Sequence, residues 1–173
     1  MSPPTRKVAL IGFMGSGKSS VAPLLAATLH CHYIDVDREV VSRSQLDSVA
    51  EIFKTHGELF FRDLEADVTR CLAQASNIII STGGGIIGRQ SNIEHLKQNS
   101  GVIVFLQTSF ETVTSRISDF STRPLFRDET RARALFIERQ PVYSAYADLV
   151  VRTDHKQPEQ VRDDIIARLE GMI

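Results

Sequence analysis

The sequence predicts an α/β protein of three layers (α/β/α), in which helices cover both faces of a five-stranded parallel sheet. Short apolar segments of strand type alternate along the chain with segments of helical periodicity. The strand-type segments are Val8–Ile11, His32–Val36, Asn77–Ser81, Gly101–Leu106 and Asp148–Arg152. Three of them are almost continuously apolar, which is typical of strands that are buried on both faces. Alternation of such strands with helices indicates a parallel sheet.

Apolar residues at helical spacing fill the intervals between these strands. Leu64, Val68 and Leu72 follow one another at intervals of four residues, and a terminal helix is expected to start near Pro158. The segment Ser118–Thr130 is different, because it is polar and lies between two helical patterns. A loop of this length is usually either functional or disordered.

Composition limits the classes of function that the chain can serve. It has 173 residues, a formal net charge of -1 and only two cysteines. The length fits one domain, expected to span residues 1–173. No apolar run approaches the roughly 20 residues of a membrane span, and no basic surplus indicates a nucleic-acid partner. We therefore expect a cytoplasmic protein with reduced thiols that binds neither membranes nor nucleic acids.

The strongest motif is the segment GFMGSGKS, which begins at Gly12 and fits G-x-x-x-x-G-K-[ST] in full. A strand-type segment precedes it and a helical pattern follows, as a phosphate-binding loop requires. Glycines let backbone N–H groups approach phosphates closely, and the N-terminus of the following helix favours an anion. Lys18 can then reach the β- and γ-phosphates, while the Ser19 hydroxyl can bind Mg²⁺. The alternative is a glycine-rich turn without a ligand.

The segment Asp35-Val36-Asp37 closes the second predicted strand. Because side chains alternate along a strand, both carboxylates are expected to project to the same side, at the end of the sheet where ligands bind in such folds. There they can hold a Mg²⁺ hydration shell and accept a proton from an attacking hydroxyl. The alternative is a polar strand end that caps a helix from Arg38.

Further polar groups carry weaker signals when each is taken alone. Glu58, Arg62 and Glu65 lie on one helical face, which is compatible with a ligand site or with a solvated ion-pair face. Three glycines, Gly83 to Gly85, follow the third strand and form either a ligand-lining backbone or a flexible turn. Two arginines, Arg123 in the polar loop and Arg139 at the expected end of a helix, can bind anions or lie on the surface.

Together these segments resemble the shikimate kinase family of small P-loop kinases. The resemblance rests on motifs in a fixed order: GFMGSGKS, DVD, GELFFRDLE, STGGG, TRPLF and ERQPVYSAYAD. It covers the chain from about Val8 to Pro158. It implies the strand order 2-3-1-4-5 of nucleoside-monophosphate kinases, a substrate-binding segment at about 37–65 and a lid at about 118–130. It also implies transfer of the ATP γ-phosphoryl group to the 3-hydroxyl of shikimate, with Mg²⁺ as cofactor, in aromatic amino-acid biosynthesis.

The resemblance also implies roles for individual residues. The implied catalytic residues are Lys18, Asp37 and Arg123. Contacts to ATP are implied for Gly15, Ser16, Gly17, Lys18, Ser19, Ser20, Arg116, Arg123 and Lys156. Contacts to shikimate are implied for Asp37, Arg62, Gly83, Gly84, Gly85 and Arg139. Ser19 is the implied direct Mg²⁺ ligand and Asp35 the outer-shell carboxylate. Lys156 departs from the family, which usually has an arginine in the adenine turn.

Other functions remain compatible with the motifs. A related kinase can act on gluconate or on a nucleoside monophosphate, and a regulatory ATP-binding module needs no acceptor. The two arginines, the GGG segment and the DVD segment together favour a small polyhydroxy acid as acceptor. The intact Lys18, Asp37 and Arg123 argue against a module that only binds ATP. We expect a monomer whose partners are the small molecules ATP and shikimate.

Overall fold

A computed structural model describes residues 6–117 and 128–172, and it contains a five-stranded parallel sheet of order β2-β3-β1-β4-β5. The strands are β1 (Lys7–Ile11), β2 (His32–Asp35), β3 (Ile78–Ser81), β4 (Val102–Gln107) and β5 (Leu149–Arg152). This confirms the predicted fold class and strand order, and each strand lies within one residue of its predicted bounds. The apolar runs were reliable guides because a strand covered on both faces has few polar positions.

Helices connect the strands and cover both faces of the sheet. They are α1 (Lys18–Leu29), α2 (Val36–Ser44), α3 (Val49–Cys71), α4 (Gln90–Lys97), α5 (Phe110–Arg116), α6 (Glu129–Tyr146) and α7 (Pro158–Glu170), with a short 3₁₀ helix at Ile86–Gly88. Helices α1 and α7 pack together over one apolar cluster, which includes Leu25 and Ile165. The other face of the sheet carries a larger cluster, to which Phe105 and Tyr143 belong.

The second strand ends earlier than expected, at Asp35, and α2 begins at Val36. Asp35 is the N-cap of this helix, because its Oδ1 accepts a hydrogen bond from the Arg38 backbone N–H at 3.1 Å. The prediction that Asp35 and Asp37 share one side of a strand was therefore wrong. The helix-cap alternative is correct for Asp35, since a capping carboxylate satisfies an N–H that the helix leaves unpaired.

Helix α6 also differs from expectation, because it continues through Pro141 to Tyr146. Arg139 therefore lies inside the helix and not at its end. Proline removes one helical hydrogen bond, but buried residues on both sides of it, Ala132 and Tyr143, hold the helix on the sheet. Of the predicted lid, residues 118–127 lie outside the described part of the chain, and Glu129 already belongs to α6.

The long helix α3 is divided by a sharp kink at Gly57, whose φ of 82° and ψ of 173° are not helical. That conformation is accessible essentially to glycine alone. The part after the kink begins with Glu58 and carries Arg62 and Glu65 towards the sheet. Within the described residues, no helix is long and apolar enough to cross a lipid bilayer.

Candidate active site

A cavity of about 570 Å³ lies at the carboxyl ends of the strands, where parallel sheets bind ligands. It is lined by the predicted nucleotide-side residues Gly15, Ser16, Gly17, Lys18, Ser19, Ser20, Arg116 and Lys156. Three predicted acceptor-side residues, Asp37, Gly83 and Gly84, line it as well. Residues from distant parts of the sequence thus form the two walls of one cavity.

Lys18 is the buried cation of the phosphate loop. Its ammonium group donates hydrogen bonds to the carbonyl oxygens of Gly12, at 2.7 Å, and of Phe13, at 3.0 Å. A third bond joins it to the Ser16 hydroxyl at 3.3 Å. Helix α1 begins at Lys18, so the positive end of the helix dipole lies beside this charge. The loop therefore combines a fixed cation and a helix N-terminus at one wall of the cavity.

Arg116 connects the phosphate loop to the turn after β5. Its guanidinium donates to the Thr153 carbonyl at 2.7 Å and to the Thr153 hydroxyl at 3.2 Å, and it reaches the carbonyls of Gly15 and Ser16 at 3.4 Å. Lys156 lines the same side of the cavity, but its ammonium group pairs with Asp164 of α7 at 2.6 Å. Lys156 therefore offers its aliphatic stem to the cavity more readily than its charge.

Ser19 and Asp35 bring two oxygen donors together beside the phosphate loop. The Ser19 hydroxyl lies 3.5 Å from Asp35 Oδ2, and the Tyr33 hydroxyl donates to the same oxygen at 3.4 Å. Residues 6–117 and 128–172 contain no cluster of three or more histidine, cysteine or acidic side chains able to hold a metal. Mg²⁺ usually takes only one or two protein oxygens and completes its shell with water and phosphate, so this pair fits it.

Asp37 projects from the first turn of α2 onto the glycine segment. A Cβ atom added to Gly83 would lie 2.6 Å from Asp37 Oδ1, closer than such atoms approach one another. The absence of a side chain at Gly83 therefore makes room for the Asp37 carboxylate at the cavity wall. This close approach explains a glycine that the sequence left open as an ordinary flexible turn.

Arg62 is held between two glutamates, Glu58 at 3.2 Å and Glu65 at 2.9 Å. Its guanidinium covers Gly85, where any Cβ atom would overlap it. Glu65 is fully buried, whereas Glu58 is largely exposed, so the group is not the solvated ion-pair face that the spacing also allowed. Of the described residues predicted to bind the acceptor, Arg62, Gly85 and Arg139 are not part of the cavity lining, and Arg62 lies next to it over Gly85.

Burial shifts the ionisation of both partners in this pair. Burial raises the pKa of Glu65 and the charge on Asp37 adds to the rise, while Arg62 opposes it. For Arg62, burial alone would lower the pKa, but the ion pairs with Glu65 and Glu58 outweigh burial and raise it. The guanidinium therefore stays charged beside Gly85, and the Asp37 carboxylate is close enough for its charge to act on Glu65.

Tyr143 is the site residue that sequence reasoning missed. Its hydroxyl donates a hydrogen bond of 2.5 Å to the Gly84 carbonyl, and Arg139, one helical turn earlier, interacts with the Tyr143 phenol. The sequence does indicate that Tyr143 lies near Arg139, because a spacing of four residues places both side chains on one helical face. Arg123 lies outside the described residues, so its predicted place at the phosphates stays a prediction.

The sheet order, the nucleotide loop at its carboxyl edge and a separate polar wall facing that loop are those of a P-loop kinase. A family model described as "Shikimate kinase" matches residues 14–170. The chain belongs to the shikimate kinase family.

Individual relatives agree with this assignment. A protein named shikimate kinase from Chromohalobacter salexigens is 41% identical over 168 residues, covering 95% of this chain and 92% of its own. The solved structure of shikimate kinase from Acinetobacter baumannii in complex with shikimate has a TM-score of 0.90 at 29% identity, covering 97% of this chain and 94% of that one.

Similarity to a gluconokinase is confined to the fold. The structure of a gluconokinase from Sinorhizobium meliloti superimposes with a TM-score of 0.59, over 96% of this chain and 93% of its own, but only 13% of the residues are identical. The gluconate alternative therefore has weaker support than shikimate.

Proposed function

We propose that the chain transfers the γ-phosphoryl group of ATP to the 3-hydroxyl of shikimate, giving shikimate 3-phosphate and ADP. The observation that carries this proposal is membership of the shikimate kinase family across residues 14–170. The cavity supports it, because a phosphate loop and an acceptor wall face each other there at the end of the sheet.

On the donor side, Lys18 moves from the loop carbonyls to the β- and γ-phosphates and offsets the charge that grows during transfer. Arg116 and the stem of Lys156 flank the adenine. Ser19 and Asp35 would hold Mg²⁺ at this end of the loop, Ser19 through its hydroxyl and Asp35 through water. The chemistry that the ion would supply there is neutralisation of phosphate charge.

On the acceptor side, Asp37 orients the 3-hydroxyl of shikimate and accepts its proton. The transition state of phosphoryl transfer is loose, so orientation contributes more than strong basicity. Backbone groups of Gly83 to Gly85 contact the hydroxyl-bearing ring of shikimate. This wall excludes water, which would otherwise compete as an acceptor.

Arg62 and Arg139 hold the shikimate carboxylate. A guanidinium suits a carboxylate because its planar donors match two oxygens. The buried pair with Glu65 keeps Arg62 charged and aimed at the glycine segment. We also propose that the chain acts as a monomer in the cytoplasm, since one chain supplies both walls of the cavity and its two cysteines are free thiols.

The direct test is a coupled ADP-release assay with Mg²⁺ and, in turn, shikimate, gluconate and AMP. We expect turnover with shikimate well above that with the other two acceptors. Faster turnover with gluconate or AMP would mean that this acceptor, and not shikimate, is the substrate. ATP binding without turnover on any of the three would indicate a regulatory module.

The carboxylate clamp has its own test. Arg62→Ala and Arg139→Ala should each raise the KM for shikimate by roughly tenfold or more, the loss of one charge-assisted hydrogen bond, with little change in the KM for ATP. Arg70→Ala is the matched control, because Arg70 lies on the same helix as Arg62 and pairs with the exposed Asp67. Shikimate methyl ester should be a poor substrate of the wild type. Equal use of acid and ester would contradict the clamp.

A further inference from the structure

Tyr143 occupies a position that the proposed function leaves without a role. Its ring is fully buried and stacks on Phe105 of β4 with 5.1 Å between the ring centroids. Its hydroxyl, by contrast, lies on the acceptor side, where it donates to the Gly84 carbonyl at 2.5 Å. The core therefore fixes the ring, while the hydroxyl contacts the backbone of Gly84, which lines the cavity.

Two arginines act electrostatically on the Tyr143 phenol. Arg139 lies four residues before Tyr143 on the same face of α6, and its charge and its hydrogen-bonding interaction favour the ionised phenol, as does the charge on Arg62. Burial nevertheless raises the pKa of Tyr143 to about 12. The phenol therefore keeps its proton at neutral pH, and it can donate to a carbonyl and accept from a guanidinium at the same time.

Gly84 is confined between Tyr143 and the phosphate loop. A Cβ atom on Gly84 would lie 3.7 Å from the Tyr143 oxygen, 3.3 Å from the Met14 backbone nitrogen and 3.6 Å from the Gly12 carbonyl oxygen. Any displacement of the Gly84 backbone therefore changes its distance to the phosphate loop as well as to Tyr143.

We propose that Tyr143 is a positioning residue, whose hydroxyl holds the Gly84 backbone and the Arg139 guanidinium at a fixed distance from each other. This rests on the proposed roles of Arg139 and the glycine segment in binding shikimate. The hydroxyl thereby sets where the substrate carboxylate lies relative to the phosphate loop. A phenylalanine would serve the core equally well, so the hydroxyl is the part that acts on the site.

Tyr143→Phe removes the hydroxyl and keeps the stacked ring. We expect the KM for shikimate to rise about tenfold, the effect of losing hydrogen bonds to a carbonyl and to a charged group. The KM for ATP should stay within about twofold of wild type. The preference for shikimate over its methyl ester should decrease, because Arg139 is no longer held in place. Tyr146→Phe, one turn further along α6, is the matched control and should change none of these values.

A double-mutant cycle separates positioning from general stability. In an Arg139→Ala background, adding Tyr143→Phe should raise the KM for shikimate by less than about twofold, because the two residues act through one contact. Equal effects of Tyr143→Phe in both backgrounds would overturn the proposal. So would an equal rise in the KM values of shikimate and ATP, which indicates a general structural role. Thermal unfolding of each variant shows whether it is folded at the assay temperature.

A measurement without substrate keeps this inference separate from the proposed function. In protein labelled with ¹⁵N-arginine, the Nε–Hε resonance of Arg139, assigned by its loss in Arg139→Lys, should shift in Tyr143→Phe and not in Tyr146→Phe. An unchanged resonance overturns the positioning role even if shikimate is turned over. A wild type that turns over no shikimate overturns the proposed function, while the resonance still decides the contact.

Discussion

At the scale of single residues, Lys18 supplies the fixed positive charge of the phosphate loop. Lys18→Met keeps the buried stem and removes the charge, so kcat should fall at least about a hundredfold, equivalent to roughly 2.7 kcal/mol of transition-state stabilisation. The coupled assay measures this. Lys54→Met, an exposed lysine on α3, is the control and should retain full activity. A folded Lys18→Met variant with kcat within about tenfold of wild type would argue against the phosphate-loop assignment.

Glu65 predicts a dependence of stability on pH. Burial raises the pKa of Glu65 above the ordinary value of 4.5. Between pH 4.5 and the pKa of the folded state, the folded chain therefore keeps the Glu65 proton and the unfolded chain has released it. The stabilising contribution is therefore complete below about pH 4.5 and is lost as pH rises through the folded pKa. The unfolding free energy of wild type minus that of Glu65→Gln should decrease from about pH 4 to about pH 7.

Urea unfolding at a series of pH values measures this difference. Glu58→Gln is the matched control, because Glu58 pairs with the same arginine but is largely exposed. The difference in unfolding free energy between wild type and Glu58→Gln should vary little between about pH 4 and about pH 7. A Glu65→Gln difference that grows with pH would mean that the pair with Arg62 dominates over burial.

At the scale of elements, the kink at Gly57 gives the two parts of α3 different directions. Gly57→Ala meets no steric obstacle, since no atom lies within 4 Å of the new Cβ. The cost is conformational, because a φ of 82° with a ψ of 173° strains any residue with a side chain. We expect the unfolding free energy to fall by about 1–3 kcal/mol. The KM for shikimate should rise more than that for ATP, because the kink directs Arg62.

Gly88→Ala is the matched control for the kink. The space around Gly88 is equally open, but its φ is not in the left-handed region. This variant should leave both KM values and the unfolding free energy nearly unchanged. Equal losses in the two variants would mean that the Gly57 conformation has no special role in directing α3.

At the scale of the whole molecule, the amino ends of the strands, opposite the cavity, hold a group with no part in the proposed chemistry. Lys7 is buried at the start of β1 and donates hydrogen bonds to the carbonyls of Ala73 at 2.8 Å, His95 at 3.0 Å and Gln98 at 3.1 Å. It thereby links the sheet to the ends of α3 and α4. Burial lowers the pKa of Lys7 to about 8, so the ammonium form prevails at neutral pH.

Lys7→Met should reduce stability without changing function. The variant leaves three carbonyls without this donor, so the unfolding free energy at neutral pH should fall by about 2–5 kcal/mol. KM and kcat should stay within about twofold of wild type at a temperature where the variant is folded. Lys54→Met again serves as the control. A change in the KM for shikimate would show that a substitution at the amino ends of the strands affects the cavity at their carboxyl ends.

Much of this molecule follows from patterns within short segments. The strands were predictable because burial on both faces leaves few polar positions, and the phosphate loop because its residues are consecutive. The Asp35–Asp37 segment was harder, since the same three residues suit a strand end or a helix cap. The capping bond to the Arg38 N–H favours the helix, and this moves Asp37 from a strand to the first turn of α2.

The sequence by itself determined the fold class, the phosphate loop and, through the order of its motifs, the family. Only the tertiary structure decided which polar residues are buried and what they contact. The spacing of Glu58, Arg62 and Glu65 is the same whether the helical face is solvated or buried. The layers packed against it bury Glu65 fully and Arg62 in large part, and they leave Glu58 exposed. The contact between Tyr143 and Gly84 joins residues 59 positions apart. No local pattern specifies such a contact, because it depends on where two separate elements lie on the same sheet.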